Sequence, residues 1–296
     1  MPAAVTAFAP EIVTRDGAAC TVHRDAPRWG DAATAAIGGF SCASAEAGAS
    51  LLGEVCATLA REGFAAAVGP MDGDTWHAYR LVTETDGSPS FPLEPRSGAL
   101  DSLAFTAAGF EPISHYVSAR ASLADAIESV RPDSRGLTVE TWDGANAEAL
   151  LGQVFDMSLA AFQRNAFYKP ITRTAFVDLY RPVIPAMDRR FILFARTPDR
   201  AVVGFLFAYP NVFEGPRPSS LVVKTYASGV RGAGRLMVDA VHRAARDHGF
   251  SHAIHALMHI DNQSLERSAL HGGTIFRRYA LMGRGLTTTT PNTSAR

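Results

Sequence analysis

Residues 221–249 restrict the fold more than any other part of this chain. Leu221-Val222-Val223-Lys224-Thr225-Tyr226-Ala227 is rich in β-branched residues and reads as a strand. Gly229-Val230-Arg231-Gly232-Ala233-Gly234 follows as a glycine-rich turn, and residues 235–248 read as an amphipathic helix stopped by Gly249. The first N–H groups of a helix lack intrahelical acceptors and lie at the positive end of its dipole. Glycines just before them let an anion come close. The unit therefore reads as a phosphate-binding element in an α/β chain.

The flanking segments narrow the choice of phosphate ligand. Residues 136–141 alternate as a strand, and residues 145–162 carry Leu150, Leu151, Val154, Phe155, Leu159 and Phe162 at helical spacing. A second helical stretch, 175–180, ends at Pro182 and Pro185. Residues 190–196 and 201–208 read as an antiparallel hairpin around the turn Thr197-Pro198-Asp199-Arg200. A strand over 251–258, a helix over 262–270 and a last strand over 275–281 complete the order. A Rossmann dinucleotide site would need a preceding βαβ unit and an acidic residue about 20 residues after the glycines. The hairpin and His255-Ala256-Leu257-Met258-His259 stand there instead.

The N-terminal part repeats some of this pattern. A weak strand at 35–40, a helix at 48–62 with Leu51, Leu52, Val55 and Leu59 on one face, and a strand at 65–68 follow one another. Shifting by 186 residues places Gly48 on Gly234, Leu52 on Val238, Val55 on Val241 and Gly63-Phe64 on Gly249-Phe250. Gly109 precedes Tyr116 as Gly272 precedes Tyr279, but at a different shift, which implies an insertion in the first copy within residues 76–95. The pattern reads as an internal duplication, with domains at 1–130 and 136–286, a turn-rich linker at 131–135, and a polar, frayed tail at 287–296.

Composition limits the alternatives. Hydrophobic residues make up 47% and charged residues 19% of the chain, enough for a packed core. The net charge of -1 disfavours a nucleic-acid surface. Neither a signal peptide nor an apolar run of about 18 residues stands out. Cys20, Cys42 and Cys56 have no metal spacing and suit a reducing cytoplasm.

The order β-α-α-β-β-β-α-β-α-β over roughly residues 136–285 resembles the GCN5-related N-acetyltransferase (GNAT) superfamily. The resemblance is best at residues 222–238, where that family places its acyl-CoA pyrophosphate loop, Gln/Arg-x-x-Gly-x-Gly/Ala. Gly232 and Gly234 hold the glycine positions and Arg231 and Arg235 flank them, while Gly229 stands at the leading Gln/Arg position. The resemblance implies an α/β mixed sheet of the acyl-CoA N-acyltransferase fold, in tandem, with a degenerate N-terminal copy. It implies acetyl-CoA as co-substrate, held by Val223, Lys224, Thr225, Arg231, Gly232, Ala233, Gly234, Arg235 and Asn262. Thr274 replaces the family's Phe, and Ala269 stands where its general-acid tyrosine often lies. Ser268 and His271 lie beside that vacant position.

For proton transfer, His255 and His259 fall on one face of their strand by alternation, opposite His252, and histidine titrates near neutrality. They are candidate bases against the alternative of a covered polar face. Tyr226 is a candidate for contact with substrate or thioester. Phe167 and Tyr168, in the loop between the first two helices, are candidates for an aromatic acceptor wall. No third ligand completes a metal site with the two histidines, and no metal is expected. The function expected is N-acyl transfer, most simply acetyl, to a small amine by direct attack in a ternary complex. Two alternatives remain open at this point: an aminoacyl-tRNA-using tandem transferase, and a non-catalytic CoA-binding sensor.

Overall fold

The computed structural model describes residues 9–127 and 130–286; the expected tail at 287–296 lies outside the described residues. The first half holds β1 (Glu11–Arg15), β2 (Ala18–His23), β3 (Thr34–Cys42), α1 (Ala45–Arg61), β4 (Ala66–Gly69), β5 (Leu81–Thr85), α2 (Ala99–Ala107) and β6 (Glu111–Ser122). A short helix, α3 (Leu123–Ala126), leads on to β7 (Thr138–Thr141), α4 (Ala147–Phe162) and α5 (Arg173–Tyr180). Then come β8 (Ile192–Arg196), β9 (Val202–Pro210), β10 (Ser220–Ser228), α6 (Ala233–Asp247), β11 (His252–His259), α7 (Gln263–Leu270) and β12 (Thr274–Gly285).

The periodicity in the sequence has a direct physical outcome. Leu51, Leu52, Val55 and Leu59 of α1 are buried against Ile37, Phe105 and Phe110. Met237, Val238 and Val241 of α6 are buried against Leu206, Leu221 and Val223. One mixed sheet carries both cores, in the order β1-β2-β3-β4-β12-β6-β11-β10-β9-β8-β7, with β5 pairing β12 off this path.

That order shows that the halves exchange their last strands. β12, from the second half, pairs with β4 of the first. β6, from the first half, pairs with β11 of the second. The exchanged strands lie antiparallel, with Tyr116 opposite Tyr279, Val117 opposite Arg278 and His115 opposite Ala280. A local two-fold relation thus passes between the two tyrosines that the sequence pattern equates. Strand register agrees: the parallel pair β3–β4 aligns Thr34 with Ala66 and Ala35 with Ala67. The parallel pair β10–β11 aligns Ser220 with His252 and Leu221 with Ala253, which is the same pairing shifted by 186 residues.

The copies differ where a ligand would matter. In the first, the chain fills the space beside its own central strand. The Met71 N–H donates to the Ile37 carbonyl at 2.8 Å, and the Gly39 N–H donates to the Asp72 carboxylate at 2.7 Å. A Cβ on Gly38 would collide with Asp72. The first copy's helix is also closed at its start, because the Ser44 hydroxyl accepts from the Ala47 N–H. The insertion expected within residues 76–95 contains β5, and it crosses to the second half.

Candidate active site

β10 and β11 pair only over four positions, Ser220–Val223 with His252–His255, and then part. Both strands are irregular at the parting. The register of β10 with β9 shifts between Val223 and Thr225, leaving Lys224 as the extra residue. The register of β11 with β6 shifts between His255 and Met258, and Leu257 adopts a φ of 57°. A leucine in the left-handed region is strained, and such strain is retained where the surroundings impose it. The parted strands open onto a cleft of about 2250 Å³, lined by both halves.

At one end of this cleft α6 begins. Its N-cap, Gly232, has φ 97°, and no side chain caps the helix. Arg231 and Arg235 line the cleft here, joined by two arginines that sequence reasoning did not select, Arg135 and Arg267. The Arg135 Cδ lies 3.7 Å from where a Cβ on Gly232 would be, and the Arg267 Nη1 lies 3.0 Å from the corresponding point on Gly234. Bare helical N–H groups, glycine backbone and guanidinium groups suit a diphosphate. Val223, Lys224, Thr225, Gly232, Gly234 and Asn262 also line the cleft. Ala233 is fully buried and its N–H already donates to the Val230 carbonyl at 3.3 Å, so the open N–H groups are those after it. Tyr226 lines the cleft and packs its ring 3.4 Å from the Gly234 Cβ position, beneath the turn.

The shared face expected for His255 and His259 is corrected by the bulge at Leu257, which turns the strand between them. His255 faces α6 and α7. Its Nδ1 meets the Ser268 Oγ at 2.7 Å and its Nε2 meets the His242 Nε2 at 3.1 Å. His271 completes this buried group, with its Nδ1 2.9 Å from the Ala126 carbonyl. Burial, then the neighbouring His271, pushes His255 down to about 4, and burial likewise lowers His242. His259 lies on the opposite face, beside Tyr116, and burial holds it below 6.5. The Asp261 N–H donates to its Nδ1 at 3.1 Å, so its Nε2–H donates to the Ser114 Oγ at 3.1 Å. The neighbouring Ser268 and His271 belong to the buried histidine group.

This burial carries a stability prediction. Between pH 6.5 and about 4 the unfolded chain protonates His255 while the folded chain does not. Stability must therefore fall as pH falls, by up to about 1.4 kcal/mol per pH unit for such a group. His77, raised by its bond to Asp74, acts in the opposite sense, so the comparison is with His255→Leu. Urea unfolding at pH 7.0, 6.0 and 5.0 should show a steeper loss in the native protein than in the variant. Parallel slopes would contradict this.

The first half reaches the cleft through residues 69–95, part of which read from sequence only as a structured loop without a chemical role. The Trp76 Nε1–H donates to the Lys169 carbonyl at 2.8 Å, and the ring stands edge-on to Phe162, Tyr168 and Phe176. Tyr168 lines the cleft. Phe167 turns away and packs against the Val68, Met71 and Leu281 cluster, so it forms no acceptor wall. Tyr79, Arg80 and Glu94 line the cleft, as does Lys224. Glu94 is engaged: it accepts from the Arg277 Nη1 at 2.7 Å, from the Phe91 N–H at 3.1 Å and from the Tyr279 hydroxyl. Burial, then the Arg80 cation, pushes Lys224 down to about 7. Nothing in the sequence alone pointed to Arg80, because Tyr116 and Leu257, which join Tyr79 around it, lie far along the chain.

Among the described residues, no group of three His, Cys, Asp or Glu side chains is placed to hold a metal, and no helix is long and apolar enough to cross a membrane. Neither a protein-family model nor a curated protein matches the sequence. Solved structures do match. A tandem GNAT protein from the clavulanic acid biosynthesis pathway aligns with 95% of this chain and 84% of its own, at 14% identity and a TM-score of 0.59. A GCN5-related N-acetyltransferase from Sphaerobacter thermophilus aligns with 91% of this chain and 77% of its own, at 13% identity and a TM-score of 0.52. One from Anabaena variabilis ATCC 29413 aligns with 92% of this chain and 60% of its own, at 10% identity and a TM-score of 0.53. The parted central strands, the glycine turn opening α6 and the repeated register belong together in this light: the chain has the fold of the GCN5-related N-acetyltransferases, built twice in one polypeptide.

Proposed function

We propose that this protein is an acyl-CoA-dependent N-acyltransferase, with acetyl-CoA as donor, a small amine as acceptor and the active site in its second half. The observation that carries this reading is a conjunction. The uncapped start of α6, flanked by arginines, and the bulged gap between β10 and β11 open on the same cleft. Backbone at Gly232–Gly234, with Arg231, Arg235, Arg135 and Arg267, fits the phosphates. The bulge at Lys224 takes backbone out of the strand ladder, where an N–H is available to polarise a carbonyl oxygen. Coenzyme A supplies the activated acyl group as a thioester.

The residues here then perform two tasks. The walls formed by Trp76, Tyr168 and Phe176 exclude water from the acceptor side and hold the amine against the parted strands. His259 takes the proton of the attacking amine on Nδ1, directly or through a water, as that nitrogen gives up the bond from the Asp261 N–H, while its bond to Ser114 fixes the tautomer. His255, with both nitrogens bonded, instead positions α6 and α7 around the end of β11.

Calorimetric titration with acetyl-CoA, followed by thiol release with an amine panel, tests the reading; absence of acetyl-CoA binding would contradict it. For the base, His259→Gln should lower kcat about 100-fold with acetyl-CoA affinity within about twofold. It should also remove the acid limb of the kcat/KM profile, which in the native protein is expected to have its inflection below pH 6.5. An unchanged acid limb in the variant would remove His259 from this role.

A further inference from the structure

The insertion that distinguishes the first copy from the second brings one side chain whose charge the fold does not answer. Arg80 is 7% exposed. Its guanidinium carbon lies 3.9 Å from the ring centroids of both Tyr79 and Tyr116. Its Nη1 donates to the Leu257 carbonyl at 3.3 Å and its Nη2 to the Tyr79 hydroxyl. Its Nε is buried with no partner. Every one of these neighbours is neutral, and among the described residues no carboxylate pairs with Arg80. The nearby carboxylate, Glu94, is committed to Arg277. The other titratable groups within reach of the Arg80 charge are a second cation, Lys224, and the imidazole of His259.

A buried cation without a counter-ion is costly. Ring faces attract a guanidinium but do not neutralise it. A packing role would not set a lysine beside it. Both cations also touch the bulges at which the central strands part: Arg80 bonds the Leu257 carbonyl, and Lys224 is the extra residue of β10. An acceptor must sit there to reach an acyl group held in the gap. Resting on the acyl-transfer reading above, we propose that the acceptor amine carries a carboxylate and that Arg80, with Lys224 beside it, binds that carboxylate. The first half of the chain thereby supplies the specificity of a site whose donor loop lies in the second half. The charge available favours a monoanion. Arginine contributes one positive charge, while burial and that arginine disfavour the charged form of the lysine beside it until an anion joins them. A phosphate dianion would call for more donors than these.

The test is calorimetric titration of the CoA-loaded full-length protein with glycine, β-alanine and 4-aminobutyrate, and with the carboxamide of each. The expected result is that at least one acid binds about 10-fold or more tightly than its amide. Arg80→Gln should erase the difference. Arg80→Lys, which keeps the charge, should retain part of it and stands in if the glutamine variant does not fold. Lys224→Gln should reduce the difference by a smaller factor. Equal binding of acids and amides, binding of no acid, or a preference that survives Arg80→Gln would overturn the proposal. The CoA titration that precedes these separates the two readings. CoA binding without acid discrimination sinks only the carboxylate subsite, whereas absence of CoA binding sinks acyl transfer, and the same titrations on the unloaded protein then read the subsite by itself.

Discussion

Gly232→Val should lower acetyl-CoA affinity by at least about 100-fold while leaving a cooperatively folded protein. Gly232 holds φ 97° as the N-cap of α6, a conformation that costs a branched L-residue about 1–3 kcal/mol. The strain can relax by rotating the first turn of the helix, which re-aims the N–H groups offered to the phosphates. If it does not relax, the valine methyls occupy the space beside Arg135, whose Cδ already lies 3.7 Å from the Cβ position. Either outcome removes the anion site. The rest of α6 stays anchored by Met237 and Val241, which are fully buried, so the melting temperature should drop only modestly. Titration calorimetry and a thermal melt on the same sample read both effects. Native affinity in the variant would place the donor elsewhere.

The second large effect follows from strand exchange. Residues 1–130 and 136–296, expressed separately, should each fail to fold, and coexpression should restore a stable complex. Without the second half, β4 loses β12 as its neighbour, and β6 loses both β12 and β11. Without the first half, β11 and β12 lose β6, the strand that joins them. Each fragment would expose an unpaired, apolar central edge, a template for aggregation. The buried pair of Arg277 and Glu94 would also be divided between fragments, with one charge stranded in each. Circular dichroism and size-exclusion chromatography of each fragment, alone and together, test this. A fragment that is monomeric and cooperatively folded alone would show that the exchanged strand is dispensable.

Much of the fold is legible in the residues, for identifiable reasons. α1 and α6 each carry one apolar face and a Gly-Phe stop, so periodicity finds them. The β8–β9 hairpin announces itself by Thr197-Pro198-Asp199-Arg200. β1 and β2 leave weaker traces. β1 is mostly exposed, and β2 alternates the buried Ala18, Cys20 and Val22 with half-buried residues, so neither forms an apolar run. The exchange of β6 and β12 left only the match of Tyr116 with Tyr279, because pairing between distant strands is a tertiary choice. In the cleft, Gly232, Gly234, Arg231 and Arg235 were legible because the turn that carries them is contiguous. Arg80, Arg135 and Arg267 were not, since three separate parts of the chain bring them there. The two histidines illustrate the limit of strict alternation. One extra residue at Leu257 sends His255 into a buried cluster and His259 to the opposite face.

The difference between an open and a filled copy is also a local matter. Ser44 closes the start of α1, and Met71 and Asp72 fill the gap beside β3, whereas α6 starts uncapped and the gap beside β10 is open. Hydrogen exchange of the full-length protein with and without saturating acetyl-CoA tests this asymmetry most directly. The account predicts slowed exchange over residues 224–236 and no change over residues 44–50. Protection at the start of α1, or none at the start of α6, would contradict it.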